Sequence, residues 1–234
     1  MFYVVAIFYY INIGGKLHMQ LTIREPGSAI THFIAMIGAI LASVPILIKS
    51  AFSGSTQVFL SICIFMGSMI ILYGASTLYH SVNLAGDALL FFKKMDHMMI
   101  FVLIAGSYTP VCMTILEPVS GRRLLLLVWG IAVGGILLKA LWVSCPKWFS
   151  SLLYISMGWV VIPAVRPLYH LLSRPAFLWL LAGGLMYTAG GIIYALKLPL
   201  FNAKHRYFGS HEIFHLFVIG GSVCHFIFMF RYVA

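Results

Sequence analysis

Two histidines four residues apart begin an apolar run near the C-terminal end of the chain, in the stretch GSHEIFHLFVIGGSVCH. In a helix, His211 and His215 share one face, so both imidazoles can bind the same metal ion. The five residues HEIFH also match the H-E-x-x-H pattern of zinc proteases, in which Glu212 would be the general base. The spacing therefore predicts a metal site and leaves two kinds of enzyme open.

The composition identifies the environment in which this site must form. Of 234 residues, 62% are hydrophobic and only 9% are charged, and the mean hydropathy is +1.02. Unbroken apolar runs rather than alternating ones predict an all-α polytopic membrane protein that forms a single helix bundle. The net charge of +10 lies mostly between the apolar runs. This placement indicates contact with membrane lipids and excludes nucleic acid as a partner, and nothing in the sequence indicates an oligomeric state.

The cysteines and the first residues of the chain carry less information. Four cysteines are scattered singly without a C-x-x-C pair, so a disulfide scaffold and a thiolate zinc site are both disfavoured, and packing roles are expected. The opening run MFYVVAIFYYINI is too short to span a bilayer and lacks the features of a signal peptide. Residues 1–23 are therefore expected to form a separate N-terminal segment before a membrane domain at 24–234.

Seven apolar segments are long enough to be membrane spans. They cover residues 29–48, 57–80, 96–115, 124–142, 152–169, 176–196 and 211–231. With this layout, nine basic residues lie on the side of the N-terminus and six on the other side. This bias predicts a cytoplasmic N-terminus, provided that Lys139 and Arg166 extend their charged ends to the membrane interface.

The predicted topology brings polar residues from separate helices to one level of the bilayer. Ser76 and His80 lie one turn apart at the end of span two, Asp96 begins span three, and His211 and His215 begin span seven. Ionisable groups within membrane spans are costly and usually mark a functional site. Three imidazoles suit a zinc ion that keeps one position open for water, and Asp96 with Ser76 can form hydrogen bonds with that water.

Several nearby polar residues are assigned structural roles instead. Asp96 is also a candidate N-cap for span three. Glu25 and His32 have no ligand partner by spacing and are expected to make structural polar contacts. His225 lies 14 residues after His211, or roughly 21 Å along a helix, which is too far for the same ion.

Four stretches resemble the hemolysin III and adiponectin-receptor family (the progestin and adipoQ receptors), and most closely its bacterial hemolysin III branch. They are REPGSAITH, STLYH, KKMDHMMIFVLIAGSYTP and HEIFHLFVIGGSVCHFIF. The resemblance covers nearly the whole chain except its first 23 residues. It implies a seven-transmembrane bundle with a cytoplasmic N-terminus and a zinc ion near the cytoplasmic leaflet. Carried onto this sequence, the zinc ligands are His80, His211 and His215, and Ser76 and Asp96 are partners of a zinc-bound water.

The resemblance also implies a function, and alternatives stay open beside it. It predicts a zinc-dependent hydrolase of the bacterial inner membrane that cleaves a lipid amide such as ceramide, with Asp96 taking a proton from water and Ser76 assisting. The main alternative is a regulator of membrane homeostasis in which zinc is structural. An intramembrane protease would need a further ligand, which no residue after His215 supplies. His80 and Asp96 could complete such a site, so spacing alone does not exclude a protease. A pore-forming cytolysin is disfavoured because no amphipathic insertion segment is present.

Overall fold

The computed structural model describes residues 8–11, 17–20, 23–196 and 208–234. Within the N-terminal segment, β1 (Phe8–Ile11) pairs antiparallel with β2 (Leu17–Gln20), with Phe8 opposite Gln20. The remaining described secondary structure is helical. Four of the basic residues counted for membrane orientation, Lys16, Lys197, Lys204 and Arg206, lie outside the described residues, so the orientation stays a prediction.

Eight α-helices follow the hairpin in the described part of the chain. They are α1 (Pro26–Phe52), α2 (Thr56–Ser81), α3 (Gly86–Thr114), α4 (Pro118–Leu141), α5 (Lys147–Gly158), α6 (Ile162–Leu171), α7 (Arg174–Leu196) and α8 (Ser210–Tyr232). A short 3₁₀ turn at Trp159–Val161 joins α5 to α6. The fifth predicted span is therefore two shorter helices in sequence rather than one continuous helix.

The described helices confirm an integral membrane protein. Six helical segments are long and apolar enough to cross a bilayer: α1, α2, α4, α7, α8 and the combined segment Lys147–Leu171. Their outward-facing side chains are apolar, as leucine and isoleucine residues are exposed along α1 and α4. Helix α3 is also long, with 29 residues, but its first turns contain charged residues and it is not among these six segments. The count of seven spans therefore stays a prediction.

Local sequence signals explain where several helices begin. Helix α1 starts at Pro26, whose fixed φ and missing N–H suit the first helical position. Ser55 caps α2 by accepting a hydrogen bond from the Val58 backbone N–H. Glu117 caps α4, and its carboxylate accepts hydrogen bonds from two backbone N–H groups. These bonds favour the ionised form and lower the pKa of Glu117.

The start of α3 differs from the prediction. Span three was expected to begin at Asp96, but α3 begins at Gly86, and its N-cap is Ala85. Asp96 therefore lies in the third turn of the helix, and its predicted role as an N-cap is wrong. Hydropathy detects where a segment becomes apolar, whereas the helix extends about ten residues further into its charged region.

Lys139 also differs from the prediction. Its side chain was expected to reach the membrane interface, but the residue is completely buried at the end of α4. Its Nζ lies 2.6 Å from the Ser150 Oγ and 3.0 Å from the Cys145 Sγ. Polar partners on the following loop and helix hold the ammonium inside the bundle, and hydropathy cannot anticipate such tertiary contacts.

The helices form a ring around an internal cavity. In order around this ring, α1 packs on α2, α2 on α3, α3 on α5, α5 on α7, α7 on α8, and α8 on α1. Helix α4 packs outside the ring, mainly against α3, and contributes no residue to the cavity wall. The cavity therefore collects side chains from α1, α2, α3, α5, α7 and α8, and also from α6 and the loop before α5.

Close packing between neighbouring helices depends on small residues at specific contacts. Gly183 of α7 faces the ring of His225 on α8, and a Cβ at this position would lie 2.1 Å from the His225 Cδ2. A Cβ at the neighbouring Gly184 would meet nothing within 4 Å. Nearby, Ser222 joins the buried Tyr73 to the partly buried Tyr187, since its Oγ lies 2.6 Å from the Tyr73 Oη and 2.8 Å from the Tyr187 Oη.

Candidate metal centre

The three predicted histidine ligands lie together. His80 comes from the last turn of α2, and His211 and His215 come from the first two turns of α8. One ligand atom from each residue lies within 4.8 Å of the other two. His80 and His215 are buried, and His211 is partly buried. The structure therefore brings together residues that are up to 135 positions apart in the sequence.

The donor set of this cluster and the distance between two of its nitrogens fit a zinc ion. The Nε2 atoms of His80 and His211 are 3.3 Å apart. Two imidazole nitrogens at the usual zinc distance of about 2.0–2.1 Å, at a tetrahedral angle, would be about 3.3 Å apart. Three histidines without a fourth protein ligand are also typical of zinc sites that keep one position open.

Glu25 orients the His80 ring. Its carboxylate forms a short hydrogen bond with the His80 Nδ1, so the Nε2 is left to face the other histidines. The Glu25 backbone N–H also donates to the His80 carbonyl at 3.0 Å, which joins the start of α1 to the end of α2. The hydrogen bond with His80 lowers the pKa of Glu25 to about 2, although partial burial opposes this change. A carboxylate on the second nitrogen of a ligating histidine is a common feature of metal sites.

A second residue of α1 has the corresponding role toward His215. The Thr31 Oγ1 lies 3.0 Å from the His215 Nδ1, which leaves the Nε2 of that ring for a metal ion. The His32 ring stacks on the His215 ring with centroids 3.6 Å apart and planes 8° apart. His32 therefore helps to fix the plane of a candidate ligand by stacking. The expected polar contact is not found, because neither ring nitrogen of His32 has a hydrogen-bond partner among the described residues.

Ser76 and Asp96 line the same cavity as the three histidines. This cavity has a volume of about 760 Å³. The Ser76 Oγ is buried and has no hydrogen-bond partner among the described residues. Asp96 is 9% exposed, and its Oδ2 lies 3.7 Å from the His97 Nδ1. Both side chains are therefore placed on the wall of the cavity next to the cluster.

Glu212 has a structural position that differs from that of a protease base. Its Oε1 accepts a short hydrogen bond from the Ser28 hydroxyl, and its Oε2 accepts one from the Gly209 backbone N–H at 2.8 Å. These contacts cap the start of α8 and link it to α1. Both carboxylate oxygens are occupied by neutral donors, so the geometry favours a capping role for Glu212.

No sequence pattern connects Glu25 or Thr31 with the histidines. Glu25 is 55 residues from His80, and Thr31 is 184 residues from His215. The relevant signal was the polar stretch REPGSAITH, which is unusual at the start of a membrane span. His225 lies deeper in α8, where its Nε2 is 3.3 Å from the Leu180 carbonyl oxygen, consistent with its predicted role in packing.

An apolar helix bundle with three converging histidines defines an integral membrane protein with a candidate metal centre. Residues 21–226 match the family described as Haemolysin-III related. The chain is 38% identical over 215 residues to Hemolysin-3 of Bacillus cereus, covering 92% of this chain and 94% of that protein. It is 40% identical over 208 residues to the Hemolysin-3 homolog of Bacillus subtilis (strain 168), covering 88% and 92%. The chain therefore belongs to the haemolysin-III related family.

A more distant similarity links the chain to an animal receptor. It is 27% identical over 219 residues to the adiponectin receptor protein of Drosophila melanogaster, covering 86% of this chain. The match covers 49% of that protein, so the chain spans about half the length of this relative. These matches confirm the family resemblance that was based on the polar motifs.

Proposed function

We propose that this protein is a zinc-dependent hydrolase that cleaves a lipid amide within the membrane. The observation that carries this proposal is that one cavity wall holds three histidines, a buried carboxylate and a serine hydroxyl with no hydrogen-bond partner in the described part of the chain. In this proposal His80, His211 and His215 hold the zinc ion. When bound, zinc polarises a carbonyl and lowers the pKa of water to about 7.

The residues around the candidate centre have complementary roles in this reaction. Asp96 takes a proton from the water that attacks the amide carbon, and it later gives the proton to the leaving nitrogen. The Ser76 hydroxyl has no partner among the described residues, so it is free to donate to the carbonyl oxygen. The amide C–N bond breaks, and the products are a carboxylic acid and an amine.

The cavity also supports an amphiphilic substrate. Its wall contains the three histidines and also apolar side chains, among them Leu103, Ile104, Leu168 and Leu180. A volume of about 760 Å³ lies within the range of pockets that bind small molecules, about 300–1,000 Å³. We propose that the amide lies at the histidines while an acyl chain occupies the apolar part. The proposal places the protein in the bacterial inner membrane with seven spans, α3 included, and with its N-terminus in the cytoplasm.

One observation favours a second function, in which zinc is structural. The candidate ligands join α2 to α8, and the contacts of Glu25 and Thr31 add α1 to the same cluster. An ion at this point would cross-link three helices, which suits a regulator that responds to the state of the membrane. In that case removal of zinc would change stability, and no lipid amide would be cleaved.

The first experiment measures zinc content and hydrolysis in the detergent-purified protein. We expect about one zinc per chain in the wild type and a clear loss in His80→Ala. The Asp96→Asn variant is expected to retain zinc but to hydrolyse a ceramide substrate about 10²–10⁴-fold more slowly, as for loss of a general base. Hydrolysis by Asp96→Asn at the wild-type rate would refute the catalytic role. Zinc in both proteins without hydrolysis of any lipid amide would favour the structural alternative.

A further inference from the structure

A second buried polar cluster lies outside the three histidines, where α4 is followed by the loop to α5. It consists of Lys139, Cys145 and Ser150, which are 0%, 7% and 2% exposed. The Lys139 Nζ is 3.0 Å from the Cys145 Sγ and 2.6 Å from the Ser150 Oγ. The Sγ and Oγ atoms are 3.2 Å apart. The three groups therefore touch each other in a closed triangle.

The charge of Lys139 requires a partner. Among the described residues, no carboxylate oxygen lies within 4.0 Å of its Nζ. An isolated ammonium in an apolar interior is costly, and the structure tolerates it only with a compensating group. The Ser150 hydroxyl is neutral, whereas the Cys145 thiol can become an anion. An ammonium–thiolate pair therefore satisfies the charge balance of this cluster.

The surroundings of Cys145 favour the thiolate. Burial raises the pKa of this thiol, but the hydrogen bonds from Lys139 and Ser150 outweigh that effect, and the pKa lies below its usual range. The other titratable groups around the pair are His97 and Asp96 of α3, Tyr154 of α5 and Tyr194 of α7. Histidine and tyrosine carry no negative charge at neutral pH. The Asp96 carboxylate does oppose a thiolate, but it lies beside His97, with its Oδ2 3.7 Å from the His97 Nδ1, and not within 4.0 Å of the Lys139 Nζ.

The cavity gives a ligand access to the sulfur. Cys145, Ser150 and the neighbouring Ser151 all line its wall. Ser151 is 1% exposed, and its Oγ has no hydrogen-bond partner among the described residues. An apolar molecule that carries a carbonyl group would thus meet a nucleophilic sulfur and a hydroxyl that is free to donate.

We propose that Cys145 is a covalent modification site for α,β-unsaturated carbonyl compounds that enter this cavity. The thiolate sulfur forms a C–S bond to the β-carbon, and the electron pair of the carbon–carbon double bond moves to the α-carbon. The α-carbon takes a proton from the Lys139 ammonium. The products are a neutral thioether and a neutral amine, so the reaction removes a buried ion pair without an oxidant or a reductant. The proposal does not depend on the zinc site.

The test measures alkylation rates with N-ethylmaleimide, an α,β-unsaturated carbonyl probe, on the detergent-purified full chain. Mass spectrometry of peptides gives a separate rate for Cys145 and for Cys63, the matched internal control. An ordinary thiol with a pKa of about 8.5 reacts about 50-fold faster at pH 8.5 than at pH 6.5, because its thiolate fraction rises by that factor. For Cys145 we expect a rise of less than about tenfold.

Two variants of Lys139 separate the effect of charge from that of packing. Lys139→Met removes the ammonium and is expected to restore a rise of about 50-fold, whereas Lys139→Arg is expected to keep the weak pH dependence. If neither variant folds, the pH dependence of Cys145 alkylation in the wild type is by itself the test of the proposal. A 50-fold rise for Cys145 in the wild type, or no alkylation of Cys145 while Cys63 reacts, would overturn the proposal.

Discussion

The contact between Glu25 and His80 leads to a quantitative prediction for metal affinity. Glu25→Gln keeps the size of the side chain but removes the carboxylate that accepts the His80 Nδ1–H. Loss of such a partner typically weakens metal binding about 10–100-fold. Because the Glu25 side chain is 45% exposed, water replaces part of the lost interaction, and we expect the lower end of this range. A loss of about tenfold corresponds to about 1.4 kcal/mol.

The matched control is another carboxylate-to-amide change nearby. Glu212→Gln removes the same charge next to His211, but the Glu212 carboxylate contacts a serine hydroxyl and a backbone N–H rather than a histidine nitrogen. We expect this variant to bind zinc within about threefold of the wild type, since it loses only a screened charge at longer range. It is also expected to retain any hydrolytic activity, contrary to the protease alternative.

The assay is zinc competition against a chelator of known affinity, with all three purified proteins at the same pH and salt concentration. Two results would refute the reasoning. Zinc affinity of Glu25→Gln within twofold of the wild type would show that the carboxylate does not support His80. An equal loss in Glu25→Gln and Glu212→Gln would show that general charge, rather than the specific hydrogen bond, determines the affinity.

Three further predictions concern packing and pH. Gly183→Ala is expected to destabilise the protein by about 1–3 kcal/mol, because its Cβ would overlap the His225 ring. The control Gly184→Ala should leave the thermal midpoint in detergent unchanged. Equal thermal midpoints for the two variants would contradict this packing. Ser222→Ala removes the shared hydrogen-bond partner of Tyr73 and Tyr187 and should lower the free energy of unfolding by about 1–3 kcal/mol while zinc content stays the same. The pKa of Glu117 is lower in the folded protein than in the unfolded chain. Its capping hydrogen bonds therefore stabilise the folded state fully above the pKa of the unfolded state, and this stabilisation is lost as the pH falls through the pKa of the folded state. The difference in thermal midpoint between wild type and Glu117→Gln should therefore shrink on acidification from pH 7 to pH 3, and a constant difference would refute the capping role.

The helix starts illustrate the limits of local prediction. Apolar runs placed the ends of six candidate membrane-spanning segments to within about six residues, because partition into a bilayer depends mainly on local hydropathy. The same signal misplaced the start of α3 by ten residues, from Gly86 to Asp96. Helical hydrogen bonding continues through charged turns outside the apolar core, and hydropathy does not register such turns.

The sequence by itself determined the membrane class, the family and the three histidines. His211 and His215 share a helix face because helical periodicity is local, and His80 was recognised at the end of an apolar span with Ser76 one turn before it. Only the tertiary structure decided how these groups are supported. It paired Glu25 with His80, and it buried Lys139 against Cys145 instead of at the interface. These contacts depend on which helices become neighbours in the ring, and that arrangement follows from packing over the whole chain rather than from any local pattern.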